Sequence, residues 1–437
     1  MARSPNELDA YEALAAMASG RLTAEALALA CLDRVATRDS IVRAFAHLDC
    51  ERALAEARSR DRARSAASAG RLHGLPIGVK DIIDTHDMPT SYGSPIHAGH
   101  RPSADAACVA LAREAGAVVL GKTVTTEFAL RHPGPTANPR NPAHTPGGSS
   151  SGSAAAVADF MVPVAFGTQT GGSIVRPASY CGVVGYKPSF NTINPTGVKP
   201  LAGSFDTVGV LARCVDDCAL VAAVLAGDDP AGAATLGAIR PARVGLWRTP
   251  AWTHAEPATV LAVETAAAQL ARDGVVVDEV VLPAEFERFL DAQSDVLRFE
   301  AARVFAFERT QRAELLSSSS REELAAGAAI PRQRYRDAQA LLARCRTLFA
   351  AAIAPFDLLL SASAPGEAPA GLDDTGEATF NRWGSGLLVP CISLPGFTGS
   401  GGLPVGVQLM GAIDDDARLL SAAKWIAAHI GDAAGGA

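Results

Sequence analysis

The hydrophobic pattern of this chain changes character at about residue 71. Residues 6–70 place Ala and Leu at helical spacing among Glu and Arg, which predicts two or three helices. After that point, short apolar runs separated by Gly and Pro are typical of buried strands: LPIGVKDIID, GAVVLGKT, MVPVAFGT and CGVVGYKP. We therefore expect the chain to begin with helices and to continue into a sheet.

The second half of the chain also alternates between the two patterns. The strand-like runs RVGLW and VVVDEVVLP flank the helical stretch ATVLAVETAAAQLARDG, and residues 281–350 are mostly helical in pattern. FDLLLSASAP, GLPVGVQLMG and ARLLSAAKWIAAHI then predict two strands and a closing helix. This alternation favours an α/β fold in which helices cover a sheet. There is no internal repeat, and residues 431–437, GDAAGGA, are expected to be a frayed tail.

Composition and charge exclude several function classes. With 437 residues, 48% of them hydrophobic, the chain can bury a large core as one large domain or two ordinary ones. The net charge is −7, and acidic and basic residues are interleaved, so no basic face is available for nucleic acid. The N-terminus does not resemble a signal peptide, and no run of about 18 apolar residues could span a bilayer. We expect a cytoplasmic protein without nucleic-acid or membrane partners; its oligomeric state is left open.

Cysteine and histidine residues give no sign of a disulfide framework or a metal site. The eight cysteines include no CxxC pair and are expected to be reduced and mostly buried, with Cys214 and Cys218 on one helix face. Small apolar neighbours in SYCGVVG favour a core position for Cys181 over a nucleophilic one. The nine histidines show no HExxH or paired ligand spacing, so we expect neither a metal nor a cofactor.

The segment GAVVLGKT, Gly116 to Thr123, satisfies the GxxxxGK[ST] pattern of a phosphate-binding loop. In such a loop the strand ends before the first glycine, whereas here AVVL is itself strand-like and follows a helical stretch, AACVALAREAG. The context favours a strand followed by an ordinary turn. An NTP-binding protein is therefore a remote alternative function.

Lys80 adjoins the strand-like run PIGV, which makes its ammonium group a candidate for burial. Apolar surroundings can lower a lysine pKa by about 3–5 units, which would turn Lys80 into a base. A salt bridge to Asp81 or Asp84 is the competing structural interpretation, and the residues alone do not decide between the two.

Two Gly/Ser clusters, TPGGSSSGS and GTQTGGS, flank an apolar run within residues 145–177. A flexible linker would be solvated on both sides, whereas this apolar run must be buried. The clusters are therefore expected inside the domain. They form either a loop that lets a strand and a helix approach closely or two parts of an active site.

Taken together, these segments resemble the amidase signature family of serine hydrolases over nearly the whole chain, most specifically over residues 71–211. The motifs that carry the resemblance are GLPIGVKD, GAVVLGKT, NPRNPAHTPGGSSSGSAAAVA, GTQTGGSIVRPASYCGVVGYKPS and GLPVGVQLMG. The resemblance implies one α/β domain over residues 1–437, with a twisted mixed β-sheet flanked by α-helices. The helical residues 1–70 would pack on that domain.

The same resemblance assigns the site residues. Lys80, Ser149 and Ser173 match the family's lysine, its serine in a cis peptide linkage and its nucleophilic serine, the serines being 24 positions apart. A neutral Lys80 would draw a proton through Ser149 and so free Ser173 to attack a carbonyl, without a histidine. The developing oxyanion would be held by four backbone N–H groups, those of Thr170, Gly171, Gly172 and Ser173.

The chain departs from the commonest family pattern around the nucleophile. Many members have Asp four positions before it and Arg two after it, where this chain has Gln169 and Val175; its arginine is Arg176. Because both members of an ion pair are replaced together, no charge is stranded, which indicates a variant with an intact site. By the same resemblance, four further residues border the substrate cavity: Tyr92, Phe128, Asn381 and Trp383.

The activity that the resemblance implies is hydrolysis of a carbonyl C–N bond, other than a peptide bond, in a small to medium soluble substrate. That substrate would be an amide, with carbamates, ureides and esters as extensions, because the cavity lining sets specificity. A glutaminase-like A subunit of a tRNA-dependent amidotransferase is the main alternative. A catalytically silent interaction protein is a further alternative, beside the remote NTP-binding one.

Overall fold

The computed structural model describes residues 3–63, 70–227 and 237–432, in which eleven strands form one mixed sheet. The strands are β1 (Phe45–Leu48), β2 (Pro76–Lys80), β3 (Val118–Thr123), β4 (Val164–Gln169), β5 (Val184–Lys187), β6 (Thr207–Ala212), β7 (Arg243–Leu246), β8 (Val276–Glu279), β9 (Leu358–Ala362), β10 (Cys391–Thr398) and β11 (Pro404–Met410). Their order across the sheet is β1-β3-β2-β4-β6-β5-β10-β11-β9-β7-β8.

Helices flank this sheet, which confirms the predicted α/β fold. They are α1 (Ala10–Ala18), α2 (Ala24–Val42), α3 (Cys50–Arg62), α4 (Ala107–Glu114), α5 (Ser151–Ala158), α6 (Val175–Cys181), α7 (Val215–Ala226), α8 (Pro257–Arg272), α9 (Phe289–Val304), α10 (Ala306–Gln311), α11 (Ser318–Ala328), α12 (Arg332–Ile353), α13 (Arg382–Leu387) and α14 (Asp416–Ala427). The first three helices begin at polar N-caps, since the side chains of Asp9, Thr23 and Asp49 accept hydrogen bonds from first-turn N–H groups.

The central strands are apolar on both faces because helices cover both sides of the sheet. β2, β3, β4 and β6 are buried along their whole length. β2 pairs in parallel with β4, and Val79 lies opposite Phe166. The carboxyl ends of these two strands, at Lys80 and Gln169, therefore lie at the same edge of the sheet.

Three strands were not predicted from the sequence pattern, namely β1, β6 and β10. β1 lies inside the segment with helical periodicity, where α2 ends at Val42 and Arg43 adopts a left-handed conformation with φ 54°. The chain then pairs antiparallel with β3. The expected turn after Leu120 is also wrong, because β3 continues through Gly121 and Lys122 to Thr123.

The sheet consists of two sequential halves. The six strands from β1 to β5 in the sheet order come from residues 45–212, and the other five come from residues 243–410. The halves join where β5 pairs antiparallel with β10, with Lys187 opposite Cys391. One continuous sheet thus spans both parts of the chain.

The structure can be compared with the expectations for the cysteines and for the C-terminal tail. All eight cysteines are free and six are buried, but Cys50 is exposed and Cys214 is half-buried at the N-cap of α7, so only Cys218 is a core residue of that pair. Asp432 N donates to Gly396 O at 2.8 Å, and residues 433–437 lie outside the described residues. Throughout the described ranges, no helix combines the length and apolar character needed to cross a membrane.

Candidate active site

Lys80 ends β2 with its side chain completely buried. Its Nζ donates to Ser149 Oγ and Thr168 Oγ1, both at 2.8 Å, and reaches Thr168 O at 3.5 Å. The salt-bridge interpretation of Lys80 is wrong. Asp81 pairs instead with Lys122, at 3.1 Å, and Asp84 accepts from Tyr92 Oη at 2.8 Å.

The surroundings of Lys80 favour its neutral form. Burial lowers the pKa of its ammonium group well below the ordinary value of 10.5, and the carboxylate of Asp206 opposes that shift. Within the described part of the chain no ion pair compensates the charge of Lys80, because the partners of its Nζ are two hydroxyl groups and a carbonyl. Lys80 is therefore placed to exchange a proton with Ser149.

Ser149 lies in the first Gly/Ser cluster, and the peptide bond between Gly148 and Ser149 is cis, as the family resemblance implies. Gly147 before it has φ +80°, a left-handed conformation that favours glycine. Ser149 O accepts from Thr126 N at 3.3 Å, and Ser150 Oγ donates to Thr168 O at 3.3 Å. These bonds attach the cluster to its neighbours just before α5 begins.

Ser173 lies in the loop between β4 and α6, beside a cavity of about 170 Å³. Across the part of the chain that the structure describes, the N–H groups of Gly171, Gly172 and Ser173 have no acceptor, and nothing hydrogen-bonds the Ser173 hydroxyl. Gly172 is required by close packing, since a Cβ there would lie 2.6 Å from Asn381 Oδ1. Among the described residues, no hydrogen bond joins Ser149 Oγ to Ser173 Oγ, and catalytic hydrogen bonds commonly tighten only when substrate binds.

Gln169 holds the loop that carries Ser173. Its Oε1 accepts from Ile174 N at 2.9 Å and Val175 N at 3.1 Å, and its Nε2 donates to Ser385 Oγ at 3.1 Å. Ser385 Oγ in turn donates to Gly171 O at 2.7 Å. The neutral amide of Gln169 thus binds the N–H groups that follow Ser173 and, through Ser385, the carbonyl of Gly171 before it. This arrangement agrees with the expectation that neutral groups replace the Asp and Arg common in the family.

Asp206 supports the loop from the other side. Its carboxylate accepts from Thr170 Oγ1 at 2.5 Å, and from Leu201 N at 2.8 Å and Ala202 N at 3.0 Å. Burial raises the pKa of Asp206 to about 6, opposed by these hydrogen bonds. The hydroxyl of Thr170 is thereby fixed at the start of the Ser173 loop.

Arg176 connects the first Gly/Ser cluster to a distant loop. Its Nη2 donates to Gly148 O at 2.6 Å and Thr375 Oγ1 at 3.2 Å, and its Nη1 donates to Gly376 O. Burial lowers the pKa of Arg176 below its ordinary value. Its guanidinium therefore fastens the peptide group before Ser149 to residues 375–376 of the cavity lining.

The four side chains expected to border the cavity do not line it. Tyr92 and Phe128 pack near His97, and Phe128 also packs on Phe305 with ring centroids 4.8 Å apart. Trp383 is buried against Phe289, and Asn381 lies behind Gly172. At the cavity beside Ser173 these side chains lie behind the lining, and their place at the substrate cavity stays a prediction.

Long-range packing brings other residues to the cavity, and no motif in the sequence marked them. From α9 come Gln293, Ser294 and Arg298, and from α13 comes Arg382. Gln293 Nε2 donates to Thr170 O at 3.4 Å, so α9 contacts the Ser173 loop directly. The helices that carry these residues have an ordinary amphipathic pattern, so nothing in the sequence indicated that these side chains reach the cavity.

The interpretation of Gly116 to Thr123 as a phosphate-binding loop is wrong. Val118–Thr123 is a buried strand, and Lys122 is fully buried. Its Nζ donates to Thr90 Oγ1 at 2.5 Å and lies 3.1 Å from Asp81 Oδ1. Neither a loop of backbone N–H groups nor a free lysine is present in this segment.

Comparison with known proteins gives consistent matches over nearly the full length. The profile of the family described as Amidase matches residues 26–420. The chain is 35% identical to the A subunit of the glutamyl-tRNA(Gln) amidotransferase from Chloroflexus aggregans, covering 93% of each chain. It also resembles the crystal structure of an amidase with a TM-score of 0.89 and 32% identity, covering 97% of this chain and 100% of the other. The native peptide amidase of Stenotrophomonas maltophilia matches with a TM-score of 0.82 and 32% identity, covering 96% of each chain.

Proposed function

This chain belongs to the amidase family, and from that premise we propose that it hydrolyses a carbonyl C–N bond through an acyl-serine formed on Ser173. The observation that carries the proposal is the buried contact of 2.8 Å between Lys80 Nζ and Ser149 Oγ. A desolvated lysine without a carboxylate partner is a base, and a serine hydroxyl beside it can relay a proton.

In the proposed reaction, neutral Lys80 accepts the proton of Ser149 while Ser149 accepts the proton of Ser173. Ser173 Oγ bonds to the carbonyl carbon, and the carbonyl oxygen becomes an oxyanion. The N–H groups of residues 170–173 would stabilise that oxyanion, and one such donor typically contributes about 2.7–4 kcal/mol. The C–N bond then breaks as Ser149 protonates the leaving nitrogen and Lys80 reprotonates Ser149. Water, activated by the same relay, releases the acid and restores Ser173.

The cavity supports a small substrate. Its volume is about 170 Å³, below the roughly 300–1,000 Å³ of pockets for drug-sized ligands. Amides, carbamates and esters share the tetrahedral chemistry, so we propose amides as substrates, with carbamates and esters as extensions. The Gly/Ser clusters contribute the two serines of this site.

The test is the release of arylamine from a small anilide and from the carbamate of the same aniline. The variant Ser173→Ala should release none while unfolding at the wild-type temperature. The matched control is Ser151→Ala, which removes a buried hydroxyl that has no hydrogen-bond partner among the described residues and should keep full activity. A sulfonyl fluoride should label Ser173. Turnover by Ser173→Ala would contradict the assignment of the nucleophile.

A second candidate is a glutaminase-like subunit of an amidotransferase, which the names of relatives at 35% and 36% identity favour. Such a subunit would hydrolyse glutamine only together with its partner subunits. Serine-dependent anilide hydrolysis by the isolated chain would favour the amidase. No hydrolysis of anilides by the isolated chain, combined with glutamine hydrolysis that requires partner subunits, would favour the amidotransferase component.

A further inference from the structure

Seven charged side chains line the cavity at Ser173: Arg131, Arg176, Arg298, Arg382, Glu323, Asp374 and Glu377. Two of the arginines have acidic partners, since Arg298 Nε lies 2.9 Å from a Glu323 oxygen and Arg131 Nη1 lies 3.6 Å from a Glu377 oxygen. Within the described ranges, Arg176 and Arg382 form no ion pair. Asp374 has no ion-pair partner there either, so the four arginines of the lining exceed its three acidic residues by one positive charge.

The two unpaired arginines differ in the hydrogen-bond donors they have left. Both terminal nitrogens of Arg176 already donate to Gly148 O, Gly376 O and Thr375 Oγ1. Arg382 is held differently: its Nε donates to Gln293 Oε1 at 2.8 Å, and its Nη2 donates to Leu290 O and Ser294 Oγ. Among the described residues, Nη1 of Arg382 has no acceptor. Two N–H groups of a guanidinium that lines the cavity thus have no acceptor among the described residues.

A second donor adjoins that guanidinium. Ser294 also lines the cavity, and its Oγ accepts from Arg382 Nη2, which leaves the hydroxyl proton free for another acceptor. A carboxylate has two oxygens, and one could accept from Arg382 Nη1 while the other accepts from Ser294 Oγ. Charge-assisted bonds of this kind are stronger than neutral ones.

The charge on Arg382 has a cost that an anion would offset. Burial, together with nearby Arg131 and Arg298, lowers the pKa of Arg382 to about 10, while Glu377 and Asp291 oppose the shift. At neutral pH the group is still a cation. A desolvated cation without a counter-ion is unfavourable, so an anionic ligand gains from its presence.

The position of Arg382 ties this donor pair to the reacting group. A Cβ at Gly171, in the loop of Ser173, would lie 3.7 Å from Arg382 Cγ. The arginine stem therefore runs beside the N–H groups proposed to hold the oxyanion. A substrate in this small cavity can engage both only if its charged group and its reacting carbonyl are few bonds apart.

Resting on the proposed function, we propose that the natural substrate is a short amide carrying a carboxylate, which Arg382 Nη1 and Ser294 Oγ bind while Ser173 attacks the carbonyl. Half-amides of short dicarboxylic acids and N-acylated short amino acids have this chemistry. Arg382 and Ser294 are thus specificity residues of the site.

The test compares substrates that differ only in charge. On the acyl side these are succinamate and glutaramate against the neutral diamides succinamide and glutaramide, with ammonia release measured. On the amine side they are N-acetyl-β-alanine against N-acetyl-3-aminopropanol, with amine release measured. Wild type should prefer the anionic member of at least one pair about 10- to 100-fold in kcat/KM, the range for a hydrogen bond to a charged group.

The variants separate recognition from structure. Arg382→Gln should lower kcat/KM on the anionic member much more than on the neutral member and so abolish the preference, and Ser294→Ala should reduce the preference several-fold without affecting folding. The matched control is Arg131→Gln, whose arginine lines the same cavity but is 65% exposed in its side chain and paired with Glu377; it should keep the preference.

The outcomes distinguish this inference from the function on which it rests. Ser173-dependent hydrolysis without a charge preference in either pair would overturn the inference and leave the proposed function standing. Equal losses on charged and neutral substrates in both Arg382→Gln and Ser294→Ala would also overturn it, since that is the effect of a purely structural contact. No Ser173-dependent hydrolysis of any of the substrates would instead overturn the proposed function.

Discussion

Gln169→Leu tests how the Ser173 loop is held. The substitution keeps roughly the size of the side chain and removes its acceptor and donor atoms. Ile174 N and Val175 N would lose their acceptor, at 2.9 and 3.1 Å, in a site where Gln169 has no solvent exposure. Water cannot replace the bond without rearrangement.

The magnitude follows from these two groups. An unsatisfied buried donor costs about 1–3 kcal/mol, so two of them predict a loss of roughly 2–6 kcal/mol in the free energy of unfolding. The loop also carries the proposed nucleophile and the N–H groups proposed to hold the oxyanion. Because a misplacement of about 1 Å can cost about 100-fold in rate, kcat should fall by a comparable factor.

The assay is urea unfolding together with kcat on the preferred amide. Gln169→Glu is the matched control, because its carboxyl group keeps an acceptor for both N–H groups and should recover more than half of the lost stability. If the free energy of unfolding of Gln169→Leu lies within about 0.5 kcal/mol of the wild-type value and its kcat is unchanged within threefold, the argument that this amide holds the loop is refuted.

The remaining predictions concern the base and the phosphate-loop motif. Lys80→Met should lower kcat by about 10²–10⁴, the range for a general base, while the chain stays folded; a loss below tenfold would contradict the relay. Because the pKa of Lys80 is depressed, kcat/KM of wild type should rise with pH to a plateau, and a profile that falls with rising pH would contradict it. The unfolded chain binds more protons between that depressed pKa and 10.5, so the free energy of unfolding of wild type should rise with pH there, and Lys80→Met should lack this rise. MgATP should not shift the unfolding temperature, since Gly116 to Thr123 forms no phosphate loop; a saturable shift would contradict the buried strand.

Sequence patterns predicted the fold class well because buried strands in a sheet covered on both faces are continuous apolar runs. β2, β4 and β9 are of this kind. β1 was missed because its four residues are half-exposed and lie between two helices. β10 was missed because only its first half is buried, so its pattern matches neither period.

Some residues of the candidate site could likewise be found from the sequence, and others could not. The spacing of Ser149 and Ser173 is local and carries a family resemblance, so it could be found in the sequence. The environment of Lys80 could not be decided from the residues, since the alternative partner Asp81 is adjacent in sequence but pairs with Lys122 across β2 and β3. Arg382 is more than 200 positions from Ser173 and reaches the cavity only through the fold.

The division of the sheet into two sequential halves has an evolutionary consequence. Lys80, Ser149 and Ser173 all belong to the half built from residues 45–212, whereas Ser294, Arg298 and Arg382 accompany the half built from residues 243–410. The residues proposed for the reaction chemistry and the two proposed to recognise the substrate are thus encoded in different stretches of the gene. On these proposals, mutations or recombination in the second stretch can change the substrate while the proposed proton relay stays unchanged.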